Sequence, residues 1–83
     1  MSLNEQFEAA VADSKNLPER PDNMTLLKLY AFYKQSNIGD VEGSRPSFTD
    51  MVGRAKFDAW AELKGISKDD AMQQYIDLVE SLK

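Results

Sequence analysis

The chain has 83 residues, 42% of them hydrophobic and 29% charged, with no cysteine, no histidine and a formal net charge of −4. That length holds one domain around one small core, and the missing residue types remove thiolate–imidazole metal sites, cysteine nucleophiles and the usual proton shuttle near neutral pH. The negative balance excludes a nucleic-acid binder held by a broad basic surface, so an anionic ligand must be met by a local cluster of cations.

The first ten residues, MSLNEQFEAA, carry no basic leader followed by an apolar run, and no stretch approaches the roughly 18 apolar residues of a membrane span. A cytoplasmic protein without membrane insertion is expected. Ser2 followed by Glu5 has the capping-box spacing, and Phe7, Ala10, Val11 and Leu17 recur near helical spacing until Pro18, which predicts a first helix over this stretch. Pro18-Glu19-Arg20-Pro21 is a stiff connector. Asp22 or Asn23 caps a second helix that runs through Leu26, Leu27, Leu29, Tyr30, Phe32 and Tyr33 to Gly39.

From Gly39 to Val52 no period persists, and glycine, serine and proline punctuate a long surface connection. The third helix is expected from near Gly53, through Phe57, Trp60, Ala61 and Leu63, to the stop at Lys64-Gly65. Ser67 with Asp70 opens a fourth, whose Ala71, Met72, Tyr75, Ile76, Val79 and Leu82 share one face. Four helices in this length make an all-α bundle.

Two lysines fall in apolar arcs. At about 100° per residue, Leu26, Leu29, Tyr30 and Tyr33 form the expected core side of the second helix, and Lys34 projects between Tyr30 and Leu27. On the third helix Lys56 falls between Trp60 and Leu63, with Asp58 and Glu62 on the polar side. One reading is that both stems lie along apolar surface with their ammonium groups in water. The other is that both ammonium groups converge on one anion, because an acidic protein that binds phosphate must gather point charges locally. Tyr30 and Tyr33 divide in the same way, as plain core or as a stacking face with hydroxyl donors for a nucleotide.

Other constellations lead elsewhere. Asp13-Ser14 is not followed by leucine and lies late in the first helix, which removes the serine attachment site of an acyl carrier protein. The Asp40–Arg45 stretch imitates a calcium loop, but Arg45 stands in place of the glycine and the closing glutamate is missing. Asp69 and Asp70 stabilise a helix start and form no catalytic dyad. No metal, cofactor or catalytic residue is expected.

Taken together, Leu29-Tyr30-Ala31-Phe32-Tyr33-Lys34-Gln35, Gly39-Asp40, Arg45-Pro46, Gly53-Arg54-Ala55-Lys56-Phe57-Asp58-Ala59-Trp60, Lys64-Gly65, Asp70-Ala71-Met72 and Tyr75-Ile76 resemble, in order and spacing, the acyl-CoA-binding protein family. The resemblance runs from Phe7 to Leu82. It implies one domain over residues 1–83, a four-helix up-down-down-up bundle that binds medium- and long-chain fatty acyl-CoA thioesters as a carrier and buffer, not an enzyme. Carried over, Tyr30, Lys34 and Lys56 surround the ribose 3′-phosphate, and Tyr33 and Tyr75 contact adenine and pantetheine. Lys15 reaches phosphate from the first helix, and Leu26 and Leu27 lie along the acyl chain. A monomer is expected, with acyl-CoA-using enzymes as transient partners. Three residues depart from the family pattern: Ser47 for a glycine, Arg54 for a lysine and Phe57 for a tryptophan. The competing reading is a helical protein-interaction module that turns Tyr30, Tyr33 and Lys34 toward a partner protein. An acyl-CoA-handling enzyme would be a third, short of the His and Cys it would need.

Overall fold

The computed structural model describes all residues from 1 to 83 and contains four helices and no strand: α1 Leu3–Asp13, α2 Asn23–Asn37, α3 Met51–Ala61 and α4 Lys68–Leu82. Each starts on a side chain that accepts one of the free amides of its first turn. Ser2 Oγ accepts from Glu5 at 3.1 Å while Glu5 Oε1 accepts from the Ser2 amide at 3.2 Å, completing the capping box. Asp22 accepts from Thr25 at 2.8 Å, Asp50 from Gly53 at 3.0 Å and Ser67 from Asp70 at 3.1 Å. A cap of this kind contributes about 1 kcal/mol.

Two boundaries differ from the sequence reading. The first helix stops at Asp13 and does not reach Pro18: Ser14 turns its hydroxyl back to the Val11 carbonyl at 2.7 Å, and the Lys15 and Asn16 amides close tighter three-residue turns. Lys15 therefore extends from the turn after α1, and Leu17 packs on the core from a loop. The third helix begins two residues before Gly53, because Asp50 supplies a cap that the aperiodic loop disguises. It gives way after Ala61 to three-residue turns that end at Gly65, whose φ of 93° suits glycine. Ser47 needs no glycine, since no non-glycine residue has positive φ.

Close backbone approach links α1 to α4, α4 to α2, and α2 to α3, so the helices stand in a row α1–α4–α2–α3 only 15 Å thick along its shortest axis. Phe7 meets Tyr75 and Asp13 meets Lys83, so α1 and α4 run in parallel. Gln35, late in α2, reaches the Ile66 carbonyl just before α4, so those two are antiparallel. α2 and α3 are again parallel, since the same Gln35 meets Trp60 late in α3. This is the up-down-down-up bundle. No helix is long and apolar enough to cross a membrane.

The core is small: Phe7, Ala10, Leu29, Tyr75, Ile76 and Val79, flanked by partly buried Leu3, Val11, Phe32 and Leu78 among others. Of the residues expected on the core side of α2, only Leu29 is buried; Leu26 and Tyr30 are half-buried and Tyr33 is 43% exposed. The reason is the thin row. α2 is flanked by helices on two sides, which bury Leu29, Ala31, Gln35 and Ser36, and the face carrying Leu26, Tyr30 and Tyr33 looks out between them.

The far ends of α2 and α3 are joined by a buried polar junction. Trp60 Nε1 donates to Gln35 Oε1 at 3.1 Å and to the Gly39 carbonyl at 2.8 Å, while Gln35 Nε2 donates to Asp40 Oδ1 at 3.0 Å and to the Ile66 carbonyl at 2.8 Å. The Gly65 amide adds a bond to the same Asp40 oxygen at 2.8 Å. Gln35 is fully buried and no buried side-chain polar atom lacks a partner. Replacing Gln35 with Ala leaves a cavity and strips partners from Trp60 and Asp40, and should lower unfolding free energy in urea titrations by about 2–4 kcal/mol. The Gly65 amide and Gln35 hold the Asp40 carboxyl below its ordinary value. A carboxyl whose folded pKa is depressed stabilises the fold above its unfolded pKa and loses that contribution as pH falls through the folded value. The stability gap between wild type and Asp40→Asn should therefore be largest near neutral pH and shrink on acidification below the usual aspartate range, as thermal melts across pH would report.

Candidate functional site

The parallel alignment of α2 and α3 leaves a groove of about 440 Å³ between their first halves. Leu26, Leu27, Tyr30, Met51, Val52 and Ala55 supply apolar walls, and Arg20, Asn23 and Lys56 stand among them. A second depression of about 330 Å³ opens where α2 faces the end of α1 and the middle of α4, lined by Val11, Ser14, Lys15, Leu29, Tyr33 and Tyr75. Leu26 and Tyr30 line both. The two depressions are thus halves of one trough, with the Tyr30 ring at the divide.

Around that ring the two lysines of the apolar arcs come together. Lys34 Nζ lies 5.8 Å and Lys56 Nζ 5.3 Å from the Tyr30 centroid, and Lys34 is also 5.7 Å from the Trp60 ring. Lys34 is half-buried with its stem along these aromatics, while Lys56 is exposed. Cation–π contacts of this exposure contribute about 0.5–1 kcal/mol and hold an ammonium near a ring without neutralising it. The ion pairs of the molecule are Arg45–Asp58, Lys83–Asp13 and Lys83–Glu80. Lys15, Arg20, Lys34, Arg54 and Lys56 all stand outside them, with Arg54 near enough to Asp58 to favour its charged form.

Arg45 is committed elsewhere. Its Nε and Nη2 donate to the two Asp58 oxygens at 2.9 and 2.8 Å, which clamps the long loop onto α3. Each group shifts the other toward its charged form, Asp58 below its ordinary value and Arg45 above. Both are about half exposed, so the clamp orders the loop more than it stabilises the fold.

The tyrosines occupy three different depths. Tyr30 is half-buried at the divide. Tyr33 is largely open, with its ring 6.1 Å from Phe7 and 6.4 Å from Tyr75. Tyr75 is buried, its hydroxyl bonded to Ser14 Oγ at 3.2 Å, and burial pushes its pKa up. It is a floor of the trough and a core residue at once.

All eight residues singled out from the sequence, Lys15, Leu26, Leu27, Tyr30, Tyr33, Lys34, Lys56 and Tyr75, therefore line or border one continuous trough. The sequence reading missed Arg20, Met51, Val52 and Ala55. Arg20 sits in the proline connector, and Met51 and Val52 lie in the stretch assigned to a loop, so no period marked them. The Gln35–Trp60–Asp40 junction was equally unmarked as a positioning element. At about 100° per residue, Gln35 falls opposite the arc of Leu26, Leu29, Tyr30 and Tyr33 read as the core side of α2, so periodicity gave no sign that it is buried.

A family model described as "Acyl CoA binding protein" matches residues 4–79. An acyl-CoA-binding protein homolog of Manduca sexta is 48% identical over 83 residues, 99% of this chain and 92% of that protein. Acyl-CoA-binding protein homolog 1 of Caenorhabditis elegans is 47% identical over 76 residues, 92% of this chain and 88% of that protein. Among solved structures, acyl-CoA-binding protein 2 of Oryza sativa has a TM-score of 0.92 at 40% identity, covering 98% of this chain and 90% of that one. ACBP from Moniliophthora perniciosa has a TM-score of 0.90 at 36% identity, covering 99% of this chain and 80% of that one. Since sequence and backbone agree over nearly its whole length, the chain belongs to the acyl-CoA-binding protein family.

Proposed function

We propose that the protein binds medium- and long-chain fatty acyl-CoA thioesters in the trough and acts in the cytoplasm as their monomeric carrier and buffer, passing them to acyl-CoA-using enzymes. The observation that carries this reading is the position of Tyr30: two unpaired ammonium groups border its ring, and an apolar groove opens beside it. A polyanionic nucleotide joined to an apolar tail needs charge, an aromatic surface and a hydrophobic channel in one place, and this face of the molecule offers all three.

In this reading Tyr30, Lys34 and Lys56 receive the ribose 3′-phosphate, Lys15 reaches another phosphate from its turn, and Tyr33 and the floor at Tyr75 take adenine and pantetheine. Leu26 and Leu27, now joined by Met51, Val52 and Ala55, hold the acyl chain, while Arg20 stands at the groove edge. Burial of the thioester end shields it from water and hydrolases. That service needs no reacting group, and the chain has neither cysteine nor histidine to attack the thioester.

The acyl groove makes affinity depend on tail length. Calorimetric titration should find dissociation constants falling as the acyl chain grows, by up to about 0.8 kcal/mol per buried methylene, until the groove is full. Equal affinity for free CoA and hexadecanoyl-CoA would remove the groove from the site.

The lysines are tested separately. Lys34→Met and Lys56→Met keep an apolar stem and good helix propensity, so folding should change little. Each should weaken acyl-CoA binding by roughly 1.5–3 kcal/mol, about 10- to 150-fold in Kd. Lys68→Met, at the exposed start of α4, should change it little. The losses should largely vanish when 3′-dephospho acyl-CoA is the ligand. Variants that discriminate the two ligands as well as wild type would mean that these lysines do not meet the 3′-phosphate.

A further inference from the structure

A serine closes α1 where the side chains around it are largely apolar and aromatic. Ser14, which lacks the sequence context of a carrier protein's attachment serine, caps the end of α1 and lines the second depression of the trough with Val11, Leu29, Tyr33 and Tyr75. Its hydroxyl is engaged twice, at 2.7 Å from the Val11 carbonyl oxygen and 3.2 Å from Tyr75 Oη. Elementary chemistry gives the direction of both bonds. A carbonyl oxygen only accepts, so the single Ser14 proton goes to Val11. Ser14 Oγ is then left to accept, and the Tyr75 hydroxyl donates to it. The phenol has that proton to give near neutral pH, because burial holds its pKa above the ordinary tyrosine value.

This relay of two bonds sets what the floor of the depression offers. Tyr75 is 4% exposed and lies in the middle of α4, and with its proton turned to Ser14 only lone pairs remain on its oxygen. Turning the proton toward the trough would break the bond to Ser14. The mouth of the depression is different. Lys15 is exposed there, and an ammonium can only donate. Tyr33, also open to water, carries a hydroxyl that can do either. Phosphate oxygens, which accept, therefore suit the mouth and not the floor.

We infer that Ser14 is a specificity-determining residue of the trough: by taking the Tyr75 proton it leaves Tyr75 Oη able only to accept, so the floor selects a ligand group that donates an N–H over one that presents an oxygen lone pair. The inference rests on the proposed acyl-CoA reading, in which adenine and pantetheine lie over Tyr33 and Tyr75. In such a ligand the N–H donors are the adenine amine and the pantetheine amides. Ser14 touches the ligand's choice through Tyr75, as a positioning residue. A buried acceptor that meets another acceptor is left unpaired, which is what makes a polar floor of this kind discriminate.

The experiment compares hexadecanoyl-CoA with three analogues that each exchange one donor for an acceptor: the deaminated base, which carries a carbonyl in place of the amine, and two in which one or the other pantetheine amide is an ester. Calorimetry on the wild type should find one of the three bound about 10-fold or more weakly than hexadecanoyl-CoA, and which one it is identifies the donor. Ser14→Ala frees the Tyr75 proton to turn toward the trough, so that penalty should fall to about 3-fold or less. Ser14→Thr keeps a hydroxyl and should keep the wild-type penalty, and Tyr75→Phe, which removes the oxygen, should lose it. Each penalty is a ratio of two dissociation constants of the same variant, so a general loss of folding cancels. A wild type that accepts all three analogues as well as hexadecanoyl-CoA overturns the inference alone. So does a Ser14→Ala variant that binds every ligand more weakly by one common factor, because Ser14 would then serve packing and not selection. Failure of the wild type to bind hexadecanoyl-CoA at all overturns the proposed function, and this inference with it.

Discussion

The register between α2 and α3 rests on the bond between Trp60 Nε1 and Gln35 Oε1, and the site depends on that register. With a rise of about 1.5 Å per residue, Tyr30 lies one to two turns back from Gln35 along α2, and Lys56 one turn back from Trp60 along α3. Once the far ends are tied, these two meet side by side. A further step toward the helix starts brings Leu26 and Leu27 opposite Met51 and Val52. The junction is polar, buried and fully paired, a combination that specifies one geometry because every competing register leaves a donor or acceptor without a partner. Asp40 and Gly65 carry the constraint outward, so the loop after α2 and the turn after α3 are held by the same few bonds.

The second constraint is thinness. A row of four helices in which α3 approaches only α2 cannot cover both faces of every helix, and 11 of 83 residues end up buried. The caps and the short hydrogen-bonded turns matter more in such a structure, since each small increment is a large share of a marginal total. The open faces are also what make a trough available. Leu26, Leu27, Met51 and Val52 would be ordinary core in a thicker bundle, and a ligand seated on them, as proposed, would complete burial that the fold alone leaves unfinished. Such a ligand would stabilise the protein by mass action, because its site exists only in the folded chain.

Electrostatically the molecule works against its net charge. Lys83 and Arg45 are occupied by carboxylates and serve the structure, Lys83 by tying the end of α4 to α1. The free cations near Tyr30 rest on aromatic faces, which keep a charge near a chosen point without a counter-ion. An ammonium held this way has no carboxylate partner that an approaching anion would first have to displace.

Much of this was legible in the amino-acid sequence alone. Four helices, the Ser2–Glu5 box, a cap at Asp22 or Asn23, the Ser67 cap and the interruption of two apolar arcs by Lys34 and Lys56 follow from local propensity and periodicity, which act within a few residues. Tertiary structure decided the rest. The early end of α1 at Asp13 and the early start of α3 at Met51 came from side-chain bonds by Ser14 and Asp50 that periodicity does not register. Tyr33 moved from an expected core position to the surface because the row of helices buries a different arc of α2. Arg20, Met51, Val52 and Ala55 joined the site only through the parallel pairing of α2 with α3. A hydrophobic period tells which face of one helix seeks cover; which helix covers it, and what is left open between them, is set by contacts between residues far apart in the chain.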